Sequence, residues 1–320
     1  MQDKPPPIPD LDVMLDISSA FEAIRRTDPG LANAELGDLI RHIPGKRAIF
    51  HGALNGSDVV FRLHFNAQDS VAQREWDEIL RLWPYMAEGD LRIAKPIHAN
   101  IDAGLIVQER IIGTPMLEYF RGIDSDARGP CLTAAAAWLR QSTVMSEGWR
   151  VPNPKGWIKR AAQASHTQPF PQLKTLENQI LAQMRRLAPV VASQTWRAAI
   201  SHGDYHPNNL IVNGPRLTGI DLGGSKGLPV CKDMARFLMH MGRRRVTLPG
   251  PLAFGVSRMG LDAFSAAFDL SAHERSVVLP FFLAFEALIR VENTGLAPSR
   301  IRRAEKMYLS LLPDLEAIDL

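Results

Sequence analysis

Hydrophobic residues form two short strand-like runs in the first quarter of the chain. Arg47 to Leu54 and Val59 to Phe65 contain β-branched, aromatic and small apolar residues, and Asn55-Gly56 lies between them. Asn-Gly between two such runs is the strongest local sequence signal for a β-hairpin. The pattern therefore predicts a hairpin here, and similar runs predict strands over Asp90 to Ile97 and Leu105 to Ile112.

Apolar residues recur at helical spacing on both sides of these strands. Before the hairpin, helices are predicted from Ile17 to Arg26 and from Leu31 to Ile43. After residue 114 helical spacing predominates, except where Pro152 and Pro154 interrupt the chain. Helices are predicted there over Leu132 to Met145, Leu173 to Val191, Asp262 to Phe268, His273 to Val291 and Pro298 to Leu311.

Composition sets broad limits on the class of protein. The chain has 320 residues, 46% of them hydrophobic, so it is long enough to fold as two lobes. Its formal net charge is +3, which does not indicate binding to nucleic acid or to a membrane. Two local basic runs, Arg243 to Arg245 and Arg300 to Lys306, are interpreted as solvated helix faces. Cys131 and Cys231 lack a C-x-x-C spacing, so we expect reduced thiols and a cytoplasmic protein.

We expect neither a secretory signal nor a membrane-spanning segment in this sequence. Met1 to Pro9 contains no apolar stretch of the kind found in a secretory signal, and we expect an extended or disordered lead-in. The longest apolar run, Val277 to Phe285, is interrupted by Pro280 and is far shorter than the ~20 residues that cross a bilayer. The sequence therefore predicts no membrane partner.

Residues with potential chemistry cluster in one short segment. His202 to Asn209 reads His-Gly-Asp-Tyr-His-Pro-Asn-Asn, and Ile220-Asp221-Leu222-Gly223 follows it. Phosphotransfer to a hydroxyl requires a carboxylate that receives or orients the proton, plus an amide oxygen and a second carboxylate that hold magnesium. Asp204, Asn209 and Asp221 provide these groups in that order.

A metal-dependent hydrolase is an alternative for the same segment. His202, Asp204 and His206 alternate, and imidazole and carboxylate groups are common zinc or iron ligands. The sequence contains no further closely spaced cluster of such residues. The combination of an eight-residue loop with a following D-x-G favours phosphotransfer over this alternative and over a chance match.

The motif pair H-G-D-x-H-x-x-N and D-x-G resembles that of the aminoglycoside phosphotransferase and choline kinase superfamily, small-molecule relatives of the protein kinases. The resemblance implies an α+β, two-lobed protein-kinase-like fold, with a small β-rich N-terminal lobe and a larger, mainly helical C-terminal lobe. It implies Asp204 as the catalytic base, and Asn209 and Asp221 as the magnesium ligands. His202 is implied to be structural, and Asp233 to brace the catalytic loop through its backbone.

The resemblance also implies a nucleotide site in the first lobe. In the family, the second hairpin strand carries a lysine that holds the phosphates, and a glutamate on the next helix braces it. This chain has Arg62 and Glu75 at those places. Arginine keeps the charge, but its planar fork is not equivalent to a lysine ammonium group. Pro44 to Arg47 lies where a glycine-rich phosphate loop is expected, yet it contains no G-x-G-x-x-G.

Val107 to Gly113 resembles the family's extended link between the lobes, whose backbone groups hydrogen-bond adenine. Glu109 and Ile111 are therefore assigned to nucleotide binding. We expect the chain to divide at this link. Residues 1–108 then hold the N-terminal helices and the nucleotide-binding lobe, and residues 109–320 the helical catalytic and acceptor-binding lobe.

The sequence therefore predicts an ATP- and Mg²⁺-dependent phosphotransferase that acts on a hydroxyl of a small-molecule metabolite. The alternative is a catalytically silent, kinase-like nucleotide-binding or regulatory protein, which Arg62 and the missing glycine-rich loop favour. From His240 onwards basic and acidic residues are nearly balanced, which favours a neutral or modestly charged acceptor over a polycationic aminoglycoside. Trp138, Trp149 and Trp157 are candidates for a cage around a quaternary ammonium group, although Trp138 is expected in the core.

Overall fold

The computed structural model describes residues 11–66, 70–244, 246 and 248–319, so the lead-in expected at Met1 to Pro9 lies outside the described residues. The chain divides into two compact units. The first reaches Ile112 and includes Thr218–Gly223, and the second contains Gly113–Leu217 and the chain from Gly224 onwards. The functions assigned above to the two parts of the chain stay predictions.

The first unit is built around an antiparallel β-sheet. Its elements are α1 (Leu11–Thr27), β1 (Ala34–Ile43), β2 (Arg47–Leu54), β3 (Ser57–His64), α2 (Val71–Met86), β4 (Leu91–Ile93), β5 (Pro96–Asn100) and β6 (Leu105–Glu109). Five of these strands pair in the order β1-β2-β3-β6-β5. The predicted hairpin is confirmed, because Asn55 and Gly56 connect β2 to β3 with positive φ angles of 51° and 76°.

The two faces of this sheet have different chemistry. On one face, Phe61 packs against Ile17 and Phe21 of α1, and the rings of Phe21 and Phe61 meet edge to face with centroids 5.0 Å apart. Successive side chains of a strand point to opposite faces. Arg62 and His64 of β3 therefore lie on the other face, which is polar.

The predicted helix over Leu31 to Ile43 is wrong, because most of this stretch forms strand β1. The pairing of β1 with β2 shifts in register between Leu36 and Leu39, and again between Leu39 and Arg41. Such bulges displace the two-residue alternation of a strand. Leu36 and Leu39 consequently both pack against the core. Their three-residue spacing imitates that of a helix.

The second unit is mainly helical. Its helices are α3 (Met116–Gly122), α4 (Arg128–Thr143), α5 (Pro154–His166), α6 (Pro171–Val191), α7 (Val230–Arg243), α8 (Arg258–Phe268), α9 (Leu279–Leu288) and α10 (Pro298–Glu316). Its strands are β7 (Thr114–Pro115), β8 (Gly148–Arg150), β9 (Trp196–Ser201), β10 (Leu210–Asn213), β11 (Arg216–Gly219), β12 (Lys226–Pro229), β13 (Leu252–Ala253) and β14 (Val256–Ser257). The last two residues of β11 belong to the first unit.

Helix α5 is one that the sequence does not predict. Pro154 stands in its first turn, where proline loses no hydrogen bond because the backbone N–H there has no partner within the helix. Asn153 caps the helix by accepting a hydrogen bond from the Gly156 N–H at 3.2 Å. The proline that was expected to interrupt the chain therefore begins a helix. The five helices predicted for this part are present in α4, α6, α8, α9 and α10.

Strands of the second unit place the motif segment. Strands β12, β9 and β8 form a small antiparallel sheet, and β10 pairs with β7. Strand β9 ends at Ser201, directly before the motif, and β10 begins at Leu210, directly after it. Both ends of the segment are thus attached to regular structure. Within the described ranges, no helix is long and apolar enough to cross a membrane.

Candidate active site

A buried carboxylate fixes the segment His202 to Asn209. Asp233, in the first turn of α7, is fully buried and accepts hydrogen bonds from the Ser201 hydroxyl at 2.6 Å and from the Gly203 N–H at 2.7 Å. Lys232 Nζ lies 3.1 Å from its other oxygen. Burial raises the pKa of Asp233, but the Lys232 charge and these donors outweigh burial and hold the pKa below its ordinary value. Asp233 is therefore ionised, and it makes the backbone contact that the resemblance implies.

Aromatic packing and one glycine fix the same segment. Tyr205 is fully buried, stacks on Trp138 with ring centroids 5.7 Å apart, and donates its hydroxyl to the Ala135 carbonyl at 2.6 Å. Gly203 has a φ of 81°, and a Cβ there would lie 2.1 Å from the carbonyl oxygen of Gly224. Only glycine fits that position. Trp138 belongs to the core, as expected.

Asp204 projects from this fixed segment with 48% of its side chain exposed. Its Oδ1 accepts hydrogen bonds from Arg236 Nε at 2.9 Å and from Arg290 Nη2 at 3.1 Å, and its Oδ2 lies 3.5 Å from His206 Nε2. Burial raises the pKa of Asp204, but the hydrogen bond with His206 and the charges of Arg236 and His206 outweigh it and hold the pKa well below its usual range. Asp204 is therefore ionised at neutral pH. It can accept a hydrogen bond from a hydroxyl, but it is a weak base.

Asn209 ends the segment and turns back towards Asp204. Its side chain is buried, and its amide nitrogen donates to the Asp204 carbonyl oxygen at 3.0 Å. The amide oxygen has no hydrogen-bond partner within the described residues and keeps its capacity as a ligand. The structure thus brings the predicted base and the first predicted magnesium ligand together in the second unit.

The segment has no ligand set for a hydrolytic metal centre. Among the residues that the structure describes, no group of three or more His, Cys, Asp or Glu side chains is placed to hold a metal ion. His202 is buried next to the rings of Trp138 and Tyr205. Asp204 is committed to its arginine partners. The alternative based on alternating histidine and aspartate therefore receives no support.

Three predicted residues form one ionic cluster in the first unit. Arg62 of β3 donates hydrogen bonds to the Glu75 carboxylate on α2 and to Asp221 Oδ1, the second at 2.8 Å. Arg62 is 6% exposed and Glu75 is fully buried. Burial lowers the pKa of Arg62, but the charges of Glu75 and Asp221 outweigh burial and raise it. Glu75 is thus the partner of Arg62, as the sequence predicts.

Arg47, at the start of β2, adds a contact that the sequence does not predict. Its guanidinium group donates to Asp221 Oδ1 and Oδ2, each at 2.9 Å. Asp221 has a φ of 63°, a value uncommon for any residue other than glycine. Both oxygens of the second predicted magnesium ligand are consequently hydrogen-bonded to arginine.

The predicted adenine contacts lie at the end of the sheet in the first unit. The Glu109 N–H donates to the Lys95 carbonyl at 3.0 Å, and the Glu109 carboxylate accepts from Arg92 and from the Lys95 N–H. The Glu109 N–H is therefore already used within the protein. Ile111 follows β6, and its backbone groups have no hydrogen-bond partner in the part of the chain that the structure describes.

Comparison with known proteins identifies the family. The model of the phosphotransferase enzyme family, abbreviated APH, matches residues 40–253, more than half of the chain. The chain belongs to this family. No curated protein matches the sequence.

Solved structures with the APH-family fold cover nearly the whole chain. A choline/ethanolamine kinase family protein from Mesorhizobium loti matches with a TM-score of 0.60 and 14% identity, over 92% of this chain and 99% of its own. The GDP complex of aminoglycoside 2'-phosphotransferase-IIIa matches with a TM-score of 0.60 and 16% identity, over 92% of this chain and 98% of its own. Amicoumacin kinase hAmiN, in complex with AMP-PNP, Ca²⁺ and Ami, matches with a TM-score of 0.58 and 12% identity, over 95% of this chain and 98% of its own. These similarities show the fold, and the kinase-like fold predicted from the sequence is confirmed.

Two arginines contact the motif of this APH-family chain without being identified from its sequence. Arg236 and Arg290 both bind Asp204, from 32 and 86 residues away along the chain. One signal for Arg236 was present, since it follows Asp233 by three positions on α7 and therefore lies on the same helix face. No local pattern points to Arg290, because only the packing of α9 brings it to Asp204.

The role of Asp233 leads to a prediction about stability. Asp233→Ala should lower the free energy of unfolding by about 3–5 kcal/mol at pH 7, because it leaves the buried Lys232 without its nearest carboxylate. The carboxylate has a lowered pKa, so its contribution is present above about pH 4 and is lost as the pH falls further. The difference in the free energy of unfolding between Asp233→Ala and the wild type, measured by urea denaturation, should therefore become smaller below about pH 4.

The matched control for this prediction is Asp262→Ala. Asp262 also pairs with an arginine on a helix, Arg258 at 3.2 Å, but its side chain is 61% exposed. Exposed pairs of this kind contribute about 0–1 kcal/mol. Equal effects of the two substitutions would show that Asp233 is not the anchor of the segment.

Proposed function

We propose that this APH-family protein transfers the γ-phosphate of ATP to a hydroxyl of a small-molecule metabolite in a magnesium-dependent reaction. The position of Asp204 carries the proposal, because an ionised and half-exposed carboxylate stands on a loop fixed by Asp233 and Tyr205. Similar solved structures hold AMP-PNP with Ca²⁺, or GDP, which supports the use of a nucleotide and a divalent cation.

The reaction exchanges one bond to phosphorus for another. The acceptor oxygen forms a bond with the γ-phosphorus, the bond from that phosphorus to the β–γ bridging oxygen breaks, and ADP leaves. The acceptor's hydroxyl proton passes to Asp204. Because transition states of phosphoryl transfer are loose, the nucleophile needs little activation before it reacts. A weak, well-placed base such as Asp204 meets that requirement by orienting the hydroxyl.

The donor set of the protein suits magnesium. Asn209 presents an amide oxygen without a hydrogen-bond partner among the described residues, and Asp221 presents a carboxylate. Such hard oxygen ligands are those that Mg²⁺ prefers. A bound magnesium ion supplies neutralisation of charge on the phosphate oxygens. Asn209 and Asp221 are therefore the residues that we propose as its ligands.

Arg62 is proposed to hold phosphates in place of the family's lysine. Its Nε is buried and has no hydrogen-bond partner within the described chain, so this donor is available to an anionic ligand. Glu75 orients the guanidinium group through the buried ion pair. Glu109 and Ile111 are proposed to receive adenine, with the backbone of Ile111 as the available hydrogen-bonding partner.

A catalytically silent, nucleotide-binding or regulatory protein is the second candidate. One observation favours it, namely that Arg47 and Arg62 together bind both oxygens of Asp221. A cation that binds the carboxylate has to compete with the charges of these two arginines. The two candidates differ in whether Mg²⁺ binds there in spite of this competition and whether phosphate is then transferred.

The role of Asp204 is tested by Asp204→Asn. The variant should keep its affinity for nucleotide but turn over about 10²–10⁴ times more slowly with an acceptor found by screening ATP consumption against a metabolite library. The amide keeps the shape but can no longer take the proton. Asp262→Asn, a substitution on an exposed helix face, should match the wild type. A wild-type rate in Asp204→Asn would remove this residue from the mechanism.

The role of Arg62 is tested by Arg62→Ala. Binding of Mg·ATP should weaken about tenfold or more, whereas adenosine binding should change little, because only phosphates interact with the lost charge. Calorimetric titration measures both affinities. The control is Arg41→Ala, because Arg41 lies on β1 and is exposed. If both ligands lost affinity equally, Arg62 would be a structural residue only.

The two candidate functions are separated by Arg47→Ala. If Arg47 competes with Mg²⁺ for Asp221, its removal should lower the Mg²⁺ concentration required for ADP binding by up to about fivefold, the equivalent of about 1 kcal/mol for a partly exposed ion pair. Asp221→Ala should abolish the dependence on Mg²⁺ and provides the reference. If the nucleotide affinity of both the wild type and Arg47→Ala did not depend on Mg²⁺, the catalytically silent candidate would be favoured.

A further inference from the structure

A cavity of about 200 Å³ in the second unit is lined by six arginines. They come from helix α7, the segment after α9, and the start of α10: Arg236, Arg243, Arg244, Arg290, Arg300 and Arg303. The two basic runs that the sequence suggested as solvated helix faces thus contribute two half-buried arginines each to one concave site. A larger cavity, of about 570 Å³ beside α8, contains none of the motif residues.

The described lining of this cavity has more arginines than acidic residues. Glu292 is the acidic residue of the lining, and it pairs with Arg243 at 2.7 Å. Asp204 accepts hydrogen bonds from Arg236 and Arg290 through the same oxygen. Glu286 adds a more distant contact, 4.0 Å from Arg290. Among the residues that the structure describes, the lining therefore contains six guanidinium groups and one carboxylate.

Two groups in the lining of the cavity have lowered pKa values. Burial, followed by the charge of Arg236, lowers the pKa of Arg290. Burial, followed by the charges of His206, Arg236 and other neighbours, lowers the pKa of His240 to about 2, so this imidazole stays neutral. His240 lines the cavity and is 8% exposed, and its Nε2 has no hydrogen-bond partner among the described residues. A neutral imidazole nitrogen without a partner adds a polar contact for a ligand there.

The cavity is adjacent to the proposed catalytic carboxylate, because two of its arginines bind Asp204. We infer that the acceptor of the proposed phosphotransfer is an anionic alcohol, whose carboxylate or phosphate group binds among these arginines while its hydroxyl lies at Asp204. Guanidinium groups match both anions in geometry and charge. The size of the cavity suits a single small anionic group better than a polymer. This inference rests on the proposed function and narrows the expectation of a neutral or modestly charged acceptor to an anionic one.

Anion binding is tested first without nucleotide, with inorganic phosphate as the probe at constant ionic strength. Calorimetry should detect binding to the wild type, and Arg300→Gln should weaken it about tenfold. Arg302→Gln is the matched control, since Arg302 is two positions away on α10, exposed, and outside the cavity lining. Absence of phosphate binding in the wild type, or equal weakening by both substitutions, would overturn the inference.

A second variant shows whether weaker phosphate binding in Arg300→Gln comes from the lost charge or from a local folding defect in α10. Arg244 lies at the end of α7, on a different element of the lining, and Arg244→Gln should weaken phosphate binding in the same way. Thermal denaturation shows whether both variants remain folded. Unchanged phosphate affinity in both folded variants would place the anion elsewhere and contradict the inference.

Turnover separates this inference from the proposed function. With Mg·ATP, the wild type should prefer the anionic member of matched acceptor pairs, such as glycerate over glycerol and gluconate over glucose. Arg300→Gln should raise the KM for the anionic acceptor and leave kcat nearly unchanged. A protein that binds Mg·ATP but prefers the neutral member of every pair overturns the inference alone. A protein that binds no Mg·ATP overturns the proposed function, and with it the assignment of an acceptor.

Discussion

The ionised carboxylate of Asp233 is the interaction on which the motif segment depends. Burying an isolated ion in a protein costs several kcal/mol, so it persists only where donors surround it. Asp233 has the Ser201 hydroxyl, the Gly203 N–H and the Lys232 ammonium group around it. These contacts fix the backbone on both sides of His202. The left-handed conformation of Gly203 and the buried ring of Tyr205 follow from that backbone path.

A rigid segment of this kind is suited to a reaction in which position matters more than base strength. Asp204 stands on it as a carboxylate whose pKa is lowered by its cationic neighbours. Such a group orients a hydroxyl and offers negative charge before the reaction begins, without reorganisation during it. In the first unit Asp221 is held in a comparable way by Arg47 and Arg62. Each of the two carboxylates is therefore positioned by arginine within its own unit.

The inference about the acceptor depends on where the charged residues of the second unit lie, and not on their total number. From His240 onwards the chain has ten Lys or Arg residues and nine Asp or Glu residues, which suggests a neutral surface. The fold separates these charges, because Arg258 pairs with Asp262 on an exposed helix face while Arg300 and Arg303 line the cavity. A balanced composition thus conceals a strongly basic site.

The sequence by itself determined the features that depend on neighbouring residues. The turn at Asn55-Gly56 was predictable because it is set by local backbone preference, and the motif from His202 to Asn209 because its residue types and spacing lie within one loop. The partnership of Arg62 with Glu75 followed from the family resemblance that the motif supports. Family membership and the kinase-like fold were therefore accessible before any coordinates.

Tertiary structure decided what local patterns leave ambiguous. Bulges in β1 gave Leu36 and Leu39 a helix-like spacing, and only pairing with β2 shows the strand. Pro154 begins a helix because Asn153 caps it, although the same proline can equally end one. Arg236, Arg290 and Arg300 are distant in sequence, and no periodicity signals that helix packing brings them to one cavity. Contacts between distant segments depend on how whole elements pack, which is why the arginine-lined cavity emerged only from the folded chain.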